Sequence, residues 1–300
     1  MITQRIEEKE YTIFLKIFKG DIKIVQSNDE NLTLEFEKVR KGTLNEVIEI
    51  EFNDNFLHVS QKDEKTKLFK SIDCSLTLSL PKGIKYNSEI KNFNGDISIK
   101  DIDQKLKLES FNGDVDIENS NSHISGTIYR GDLEISQSTL ELDIKNMSGD
   151  IDIKDSKIKT LAIKSYSGDL EIKSSDFNLL ENGTIKSFAG DITIDAKSYM
   201  GEKNISAKSL SGDIKINNIP EHLVEVENLK SNIPIMNSNL GSKLSSIMKN
   251  FSFGVNKNIE VEVNTKDDNK GSNIDRILKM LEDGKISSEE ATKLILALNN

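Results

Sequence analysis

Cysteine, tryptophan, proline and histidine are scarce in this sequence, and the scarcity excludes some classes of protein. The 300 residues contain one cysteine, Cys74, three prolines, three histidines and no tryptophan. A single cysteine cannot form an intramolecular disulfide, and the histidines are too scattered to complete a Cys/His zinc set. Disulfide-stapled and zinc-folded domains are therefore excluded. We expect Cys74 to pack as a small apolar residue and His123, beside Ile124 in a loop, to be a lone surface histidine.

Long apolar runs and an excess of positive charge are also missing. No stretch of about 18 apolar residues occurs, and the opening MITQRIEEKEYTIF is acidic where a signal peptide is apolar. Lysine and arginine total 40 against 50 aspartates and glutamates, a net charge of −10 that would repel nucleic acid. We therefore expect no transmembrane segment, no nucleic acid partner and a cytoplasmic location, with peripheral envelope association left open.

One octapeptide, by contrast, is abundant. Seven copies share a Gly-Asp pair, and their glycines are 18, 18, 18, 19, 22 and 22 residues apart. An outlying copy, FKGDIKIV, begins at Phe18. Eight of the 17 glycines lie in these pairs, so the dipeptide marks one backbone position of a repeated unit. The seven copies are FNGDISIK from Phe93, FNGDVDIE from Phe111, YRGDLEIS from Tyr129, MSGDIDIK from Met147, YSGDLEIK from Tyr166, FAGDITID from Phe188 and LSGDIKIN from Leu210.

Aligning the copies on glycine shows columns that are typical of strands. Positions two and four after Gly hold apolar pairs such as Ile97 with Ile99, and positions seven and five before Gly hold pairs such as Leu106 with Leu108. This alternation predicts two short strands per unit, each with one buried face. The residue two before Gly, Phe93 in the first copy, is always aromatic, Met or Leu. We expect this column to be internal too.

One such unit cannot fold alone. Burying about five side chains yields about 10 kcal/mol, whereas ordering some 18 backbone residues costs about 1–2 kcal/mol apiece. Stacked units share backbone ladders and continuous apolar columns. The sequence therefore predicts an all-β fold, a single-chain β-solenoid, with right-handed winding because parallel crossovers favour that hand.

The regions outside the repeats complete the predicted organisation. Irregularly spaced alternating segments predict a β-rich N-terminal cap continuous with the solenoid, because an open end would expose unpaired backbone. The composition of NTKDDNKGSN is that of a linker, and a helical period follows it. The predicted parts are a cap over 1–85, the Gly-Asp solenoid over 86–219, a C-terminal β cap over 220–265, a linker over 266–272 and a small αα-hairpin over 273–300.

The Gly-Asp pairs are expected to be structural turns. Glycine permits a positive φ, and aspartate bonds nearby amides. Turns stacked about 4.8 Å apart would place the aspartates in one column, where neighbours repel by roughly 1 kcal/mol in water. Backbone amides or a bound cation must stabilise the negative charge of this column. Amides are favoured, because the glycine-rich nonapeptide of calcium-binding solenoids is missing. The turn residues are Gly95, Asp96, Gly113, Asp114, Gly131, Asp132, Gly149, Asp150, Gly168, Asp169, Gly190, Asp191, Gly212 and Asp213.

The growth of the repeat from 18 to 22 residues falls at the other corner of the unit. Repeat arrays commonly carry such insertions on one face, often the binding face. The segments 173–182 (KSSDFNLLEN) and 195–204 (DAKSYMGEKN) are therefore candidate binding loops, and simple drift in loop length is the alternative.

The C-terminal hairpin is a candidate docking element. Gly284 ends its first helix, and Ser287 with Glu290 forms a capping box for the second. Such a hairpin is too small to be stable alone, so its apolar stripe needs a partner: its own solenoid, another subunit or a regulatory protein. The candidate partner-binding residues are Ile274, Ile277, Leu278, Leu281, Leu294, Ile295 and Leu298.

The Gly-Asp copies, preceded by LTLSLPKG at 76–83, resemble the bacterial adhesin-like family of β-strand-repeat proteins, formally a domain of unknown function. The resemblance covers roughly residues 10–265. ILKMLEDGKISSEEATKLILAL at 277–298 is similar to the short helical hairpin found on members linked to envelope stress. The resemblance implies a non-enzymatic solenoid in envelope-stress physiology, with no established catalytic residues.

The expected function is that of a binding or scaffold protein. Motifs of hydrolases, phosphate loops, metalloproteases and dinucleotide-binding enzymes are missing, so we expect no enzymatic activity, no cofactor and no resident metal. A protein partner or self-association is expected instead. Two alternatives remain: a filament assembled by stacking of solenoid ends, and a carbohydrate-active enzyme using carboxylates on a solenoid face.

Overall fold

A computed structural model describes residues 1–37, 44–53, 55–62 and 73–228. The chain divides into two compact units, residues 1–230 and 231–300, and the described residues all lie in the first. The predicted linker and helical hairpin lie outside the described residues. Within the described ranges, no helix is long and apolar enough to cross a membrane.

Strands make up nearly all the regular structure of the described part, as the alternating pattern predicts. The exceptions are α1 (Leu44–Val47) and a 3-10 turn (Glu221–Leu223). The strands before the first of the seven clustered repeats are β1 (Ile2–Arg5), β2 (Glu10–Ile17), β3 (Ile22–Ser27), β4 (Asn31–Glu37), β5 (Ile48–Asn53), β6 (Phe56–Gln61), β7 (Ser75–Pro81) and β8 (Lys85–Asn92). Those that follow are β9 (Ile97–Lys100), β10 (Asp103–Ser110), β11 (Val115–Glu118), β12 (Asn121–Ile128), β13 (Leu133–Ser136), β14 (Thr139–Asn146), β15 (Ile151–Lys154), β16 (Lys157–Ser167), β17 (Leu170–Asp176), β18 (Asn182–Ala189), β19 (Ile192–Ser198), β20 (Ile205–Ser211), β21 (Ile214–Asn217) and β22 (Val224–Asn228).

The strands form two long parallel ladders that meet at the Gly-Asp corner. Sheet I runs β6-β2-β8-β10-β12-β14-β16-β18-β20-β22, and sheet II runs β7-β3-β9-β11-β13-β15-β17-β19-β21. Equivalent residues of successive turns stand side by side, as Leu106, Ile124 and Leu142 do. The fold is therefore an all-β solenoid, as predicted from the repeat.

The core lies between the two sheets, along the columns that the sequence indicates. Ile97 and Ile99 of sheet II and Leu106 and Leu108 of sheet I are at most 1% exposed. The sheet II column stays buried as far as Ile192 and Ile194, since strand stacking repeats each inward position, and Ile214 and Ile216 of the last turn are partly buried. Burying these side chains against their equivalents above and below stabilises every inner turn from both sides.

The column two residues before each Gly is wrongly predicted to be internal. Phe93 and Phe111 are only partly buried, and Tyr129 is 37% exposed. Strand alternation continues to the preceding residue, which is Asn92 in the first repeat and is fully buried. Asn92 Nδ2 donates to the Gly95 carbonyl at 2.8 Å, so this inner position supplies a donor that an apolar side chain would lack.

The outlying N-terminal repeat is a turn of the stack, although it is distant in sequence. β2 lies between β6 and β8, and β3 lies between β7 and β9. Beyond β6 and β7 the direction reverses: β5 pairs antiparallel with β6, and β4, followed by β1, pairs antiparallel with β7. Strands of opposite direction thus border the parallel ladders at this end.

Cys74 packs in this end of the core, as predicted. It is fully buried, and its amide donates to the Lys19 carbonyl at 2.8 Å. Burial and then the nearby charge of Asp73 raise the pKa of its thiol to about 11. The thiol therefore stays protonated at neutral pH, as expected of a small apolar core residue.

Candidate functional site

The Gly-Asp corner requires glycine because of how closely the turns approach. Gly113 has φ +137°, and a Cβ on it would lie 2.1 Å from the Gly95 carbonyl oxygen of the turn before. The same approach recurs at Gly131 and at each later Gly-Asp glycine. A side chain here would push adjacent turns apart, so these glycines set the spacing of the stack.

The aspartates of the corner form a ladder with backbone amides. The Asp114 amide donates to Asp96 Oδ1 at 2.9 Å, and the Asp150 amide donates to Asp132 Oδ1 at 2.7 Å. The ladder begins at Asp21 and continues to the amide of Asp213. Each carboxylate thus receives a hydrogen bond from the next turn, which offsets repulsion along the column. Within the described ranges, no three His, Cys, Asp or Glu side chains are grouped as metal ligands.

Aromatic rings stack along the outside of this corner. Phe93 and Phe111 have ring centroids 4.5 Å apart at 4°, and Phe111 and Tyr129 have centroids 4.5 Å apart at 6°. Phe18 continues the stack at 4.8 Å from Phe93. Because the rings cover one another's faces, they turn their edges to solvent. The column therefore stabilises the stack and does not offer the open ring faces on which a sugar or base would lie.

A column of lysines runs beside the aromatic column on the outer face of sheet I. Lys145, Lys164, Lys186 and Lys208 stand opposite one another on β14, β16, β18 and β20, and we call them the lysine ladder. They are two residues before Met147, Tyr166, Phe188 and Leu210. Adjacent strands are about 4.8 Å apart, and two ammonium groups at that separation repel by roughly 1 kcal/mol in water.

A column of carboxylates runs along the outer face of sheet II. Asp116, Glu134, Asp152 and Glu171 stand opposite one another on β11, β13, β15 and β17, and we call them the acid ladder. Burial, Glu134 and then the corner aspartates Asp114 and Asp96 raise the pKa of Asp116. The two sheets thus present oppositely charged ladders, each with one charge per turn.

Lysines on the same strands form ion pairs with part of the acid ladder. Lys173 Nζ lies 2.6 Å from Glu171, and Lys154 Nζ lies 3.9 Å from Asp152. On sheet I, Lys208 at the end of the lysine ladder lies 2.8 Å from Glu227. Asp152, Glu171 and Lys208 therefore each have an oppositely charged side chain within 4 Å, and Lys145 and Lys186 also have interaction partners.

His123 lies in a shallow groove formed where several strands of sheet I begin. The structure places it on β12, not in a loop, and its Nδ1 is 3.0 Å from Glu141 Oε2. Lys159 approaches the same carboxylate at 3.7 Å. The hydrogen bond from His123 lowers the pKa of Glu141, and the charge of Lys159 contributes. The prediction of a lone surface histidine is wrong because β14 brings a carboxylate from the next turn.

The two lengthened corners fold against one another. The Met200 amide donates to Asn178 Oδ1 at 2.7 Å, and Asn178 Nδ2 donates to Ser198 Oγ at 3.0 Å. Phe177 is fully buried, whereas Leu179 is 53% exposed and Met200 is 85% exposed. The insertions therefore extend the core while leaving two large apolar side chains in solvent on adjacent turns.

The predicted site residues divide by where they lie in the chain. The turn residues Gly95 to Asp213 come together at the Gly-Asp corner, where the aspartates and the backbone amides of successive turns form a ladder. The candidate partner-binding residues of the hairpin, from Ile274 to Leu298, lie outside the described residues. The two charged ladders were missed from the sequence, although the glycine alignment contains them: lysine recurs four residues before Gly and a carboxylate recurs three residues after it.

Comparison with solved structures gives distant likenesses. A provisionally named cell adhesion protein from Clostridium sporogenes is 11% identical, with TM-score 0.31, over 76% of this chain and 98% of that chain. A provisionally named adhesin from Bacteroides fragilis is 15% identical, with TM-score 0.29, over 76% and 96%. A provisionally named lipid binding protein from Parabacteroides distasonis is 13% identical, with TM-score 0.26, over 76% and 96%. At such scores neither fold nor function is transferred.

Family models identify two parts of the chain. No curated protein matches this sequence. Residues 272–300 match a SHOCT-like domain, a position that fits the helical hairpin expected there. Residues 12–248, most of the chain, match the Toastrack DUF4097 model. The chain, a Gly-Asp β-solenoid followed by a short C-terminal segment, therefore belongs to the Toastrack DUF4097 family.

Proposed function

We propose that this protein is a non-catalytic binding scaffold whose solenoid presents its lengthened corners to a protein partner. The observation that carries the proposal is the exposure of Leu179 and Met200. Large apolar side chains that are exposed to solvent on a backbone fixed by hydrogen bonds are typical of interaction sites. Burying them on binding releases water, and little conformational entropy is lost because the backbone is already ordered. Loop drift alone would not require them to be apolar.

The SHOCT-like segment extends this proposal. Its match at 272–300 supports a second docking element, in which the apolar stripe from Ile274 to Leu298 binds a protein partner or another copy. A role in the bacterial envelope-stress response, with a cytoplasmic or peripheral envelope location, completes the proposed function. The filament alternative has less support, since antiparallel strands β1, β4 and β5 border the parallel ladders at the N-terminal end.

Site-specific photo-crosslinking in cells tests the lengthened corners. A crosslinker at position 179 or 200 should capture the same protein, whereas one at Val226, 49% exposed on β22, should not. With that protein purified, Leu179→Ser with Met200→Ser should weaken binding about tenfold or more, and Val226→Ser should leave it unchanged. Identical capture from all three positions would refute the proposed surface.

Deletion of residues 273–300 tests the second docking element separately. If the segment docks a partner, light scattering and pull-down should show loss of that assembly while crosslinking from position 179 persists. Unchanged assembly and unchanged partners after deletion would reject the role of the segment and leave the lengthened corners untouched.

A further inference from the structure

We propose that Met200 is a redox-sensitive contact of the lengthened corners, where oxidation of its thioether by a peroxide reversibly weakens binding of the partner. The inference rests on the proposed function, since it names how binding at Leu179 and Met200 is regulated. It depends on a chemical property that Leu179 lacks, because a thioether is oxidised to a sulfoxide and an aliphatic side chain is not.

The side chain of Met200 is open to a small oxidant without any movement of the fold, since 85% of its surface is exposed. Met147, in contrast, lies in the column two residues before Gly and is only partly exposed. Oxidation of sulfur-containing side chains follows their exposure. We therefore expect a peroxide to oxidise Met200 faster than Met147.

The backbone that carries Met200 is fixed by contacts on both sides. The Met200 amide donates to Asn178 Oδ1 at 2.7 Å, and the hydroxyl of the buried Tyr199 donates to the Lys203 carbonyl. A Cβ on Gly201 would lie 2.9 Å from the Tyr199 ring, so the chain after Met200 packs closely on that ring. None of these contacts uses the thioether. Oxidation should therefore leave the fold intact and change only what Met200 presents to a partner.

The oxidation is a two-electron transfer from sulfur to peroxide. A lone pair of the Met200 sulfur attacks one oxygen of hydrogen peroxide, the O–O bond breaks and an S–O bond forms. The departing hydroxide takes the proton of the transferred oxygen and leaves as water. The product is methionine sulfoxide, which methionine sulfoxide reductases return to the thioether.

The sulfoxide changes the cost of burying this side chain. A thioether gives up almost no hydrogen bonding to water when a partner covers it, whereas a sulfoxide oxygen accepts hydrogen bonds that must be broken. A partner surface that receives an apolar side chain offers no replacement donor. Leaving the sulfoxide oxygen unpaired should weaken binding about tenfold or more.

Peroxide treatment of the full-length chain, followed by peptide mass spectrometry, tests the chemistry. Met200 should be converted to the sulfoxide several times faster than Met147. The Tm of the treated wild type should match that of equally treated Met200→Leu, because the fold does not depend on the thioether. Conversion of Met200 no faster than that of Met147 would overturn the inference and leave the proposed function in place.

Binding of the protein captured by a crosslinker at position 179 tests the consequence. Peroxide should weaken its binding to the wild type about tenfold or more, and a methionine sulfoxide reductase should restore it. Met200→Leu is the matched control, because leucine keeps the apolar volume, cannot form a sulfoxide and leaves every other methionine in place. Peroxide should not change binding of this variant. Met200→Gln should weaken binding without any oxidant.

The outcomes separate this inference from the proposed function. Identical capture from positions 179, 200 and 226 before any oxidation would refute the proposed surface, and the inference with it. Selective capture from 179 and 200 with equal binding of the treated and untreated wild type would overturn only the regulation by Met200. Equal loss of binding in the wild type and in Met200→Leu would do the same, since another methionine would then be responsible.

Discussion

The glycine corner makes the most demanding prediction, because Gly131→Ala places a methyl group where the structure has no room. The added Cβ would lie 2.1 Å from the Gly113 carbonyl oxygen, on a residue with φ +131°. An ordinary carbon–oxygen contact is about 3.3 Å or more, so adjacent turns must separate by roughly 1 Å. Gly83→Ala is a matched control, because Gly83 has φ +79° and nothing within 4 Å of the added Cβ.

The magnitude follows from what the separation breaks. Backbone strain costs about 1–3 kcal/mol. Two hydrogen bonds join these two turns, one from the Gly113 amide to Arg130 O at 3.1 Å and one from the Asp132 amide to Asp114 Oδ1 at 2.9 Å, and losing each costs about 1 kcal/mol. We expect Gly131→Ala to lower the free energy of unfolding by about 3–5 kcal/mol and Gly83→Ala by about 1–2 kcal/mol.

Thermal and urea unfolding followed by circular dichroism measure the difference. A gap of about 2 kcal/mol corresponds to about 4–8 °C in Tm for a unit of this size. Amide hydrogen exchange should locate the loss of protection in the turns around Gly131, since stacked repeats unfold locally. If Gly131→Ala were no less stable than Gly83→Ala, glycine would not be required by turn spacing and the argument would fail.

Substitutions at three further positions probe the corner aspartates, the acid ladder and the second corner. Asp132→Ala should cost about 1 kcal/mol, because the Asp150 amide loses its acceptor, whereas Asp132→Asn should stay within about 0.5 kcal/mol; equal urea midpoints would contradict this role. A carboxyl group whose pKa is raised in the folded state stabilises the fold at pH values below its ordinary pKa. This contribution to the free energy of unfolding is lost as the pH rises through the folded-state pKa. Glu134→Gln should therefore lower the pKa of Asp116 in an NMR titration and raise stability at neutral pH, and an unmoved titration would count against crowding. Gln137 has φ +52°, a conformation that Asn adopts more easily. Gln137→Asn should raise the calorimetric Tm by about 1–2 °C, and a lower Tm would show that the side chain matters more than the backbone.

The core columns were predictable because strand period and repeat period act together. Apolar residues two and four positions after Gly recur in every copy, and any stacking of the copies places them in one file. The error at Phe93 has a physical reason. Hydrophobicity marked its column as internal, but alternation placed Asn92 inside, where its amide binds a corner carbonyl. A stacked aromatic column can lie outside because each ring buries the face of the next.

The charged ladders and the His123–Glu141 pair have no signal in any one stretch of sequence, and only alignment of the repeats on glycine places their members in one column. Lys145 and Lys164 are 19 residues apart, and only the pairing of β14 with β16 makes them neighbours. The same holds for His123 and Glu141, which meet through β12 and β14. The right-handed winding and the αα-hairpin stay predictions.

The sequence alone determined that this chain is a stack of Gly-Asp turns, because a repeated alternation can bury its apolar faces only against further copies of itself. It also determined which residues after each glycine form the core. Tertiary structure decided what faces outward and what lies beside it: the aromatic column, the opposite charges of the two sheets, and the place of the N-terminal repeat between β6–β7 and β8–β9. Those depend on strand pairing between residues distant in the chain, and one-dimensional periodicity carries no record of the pairing order.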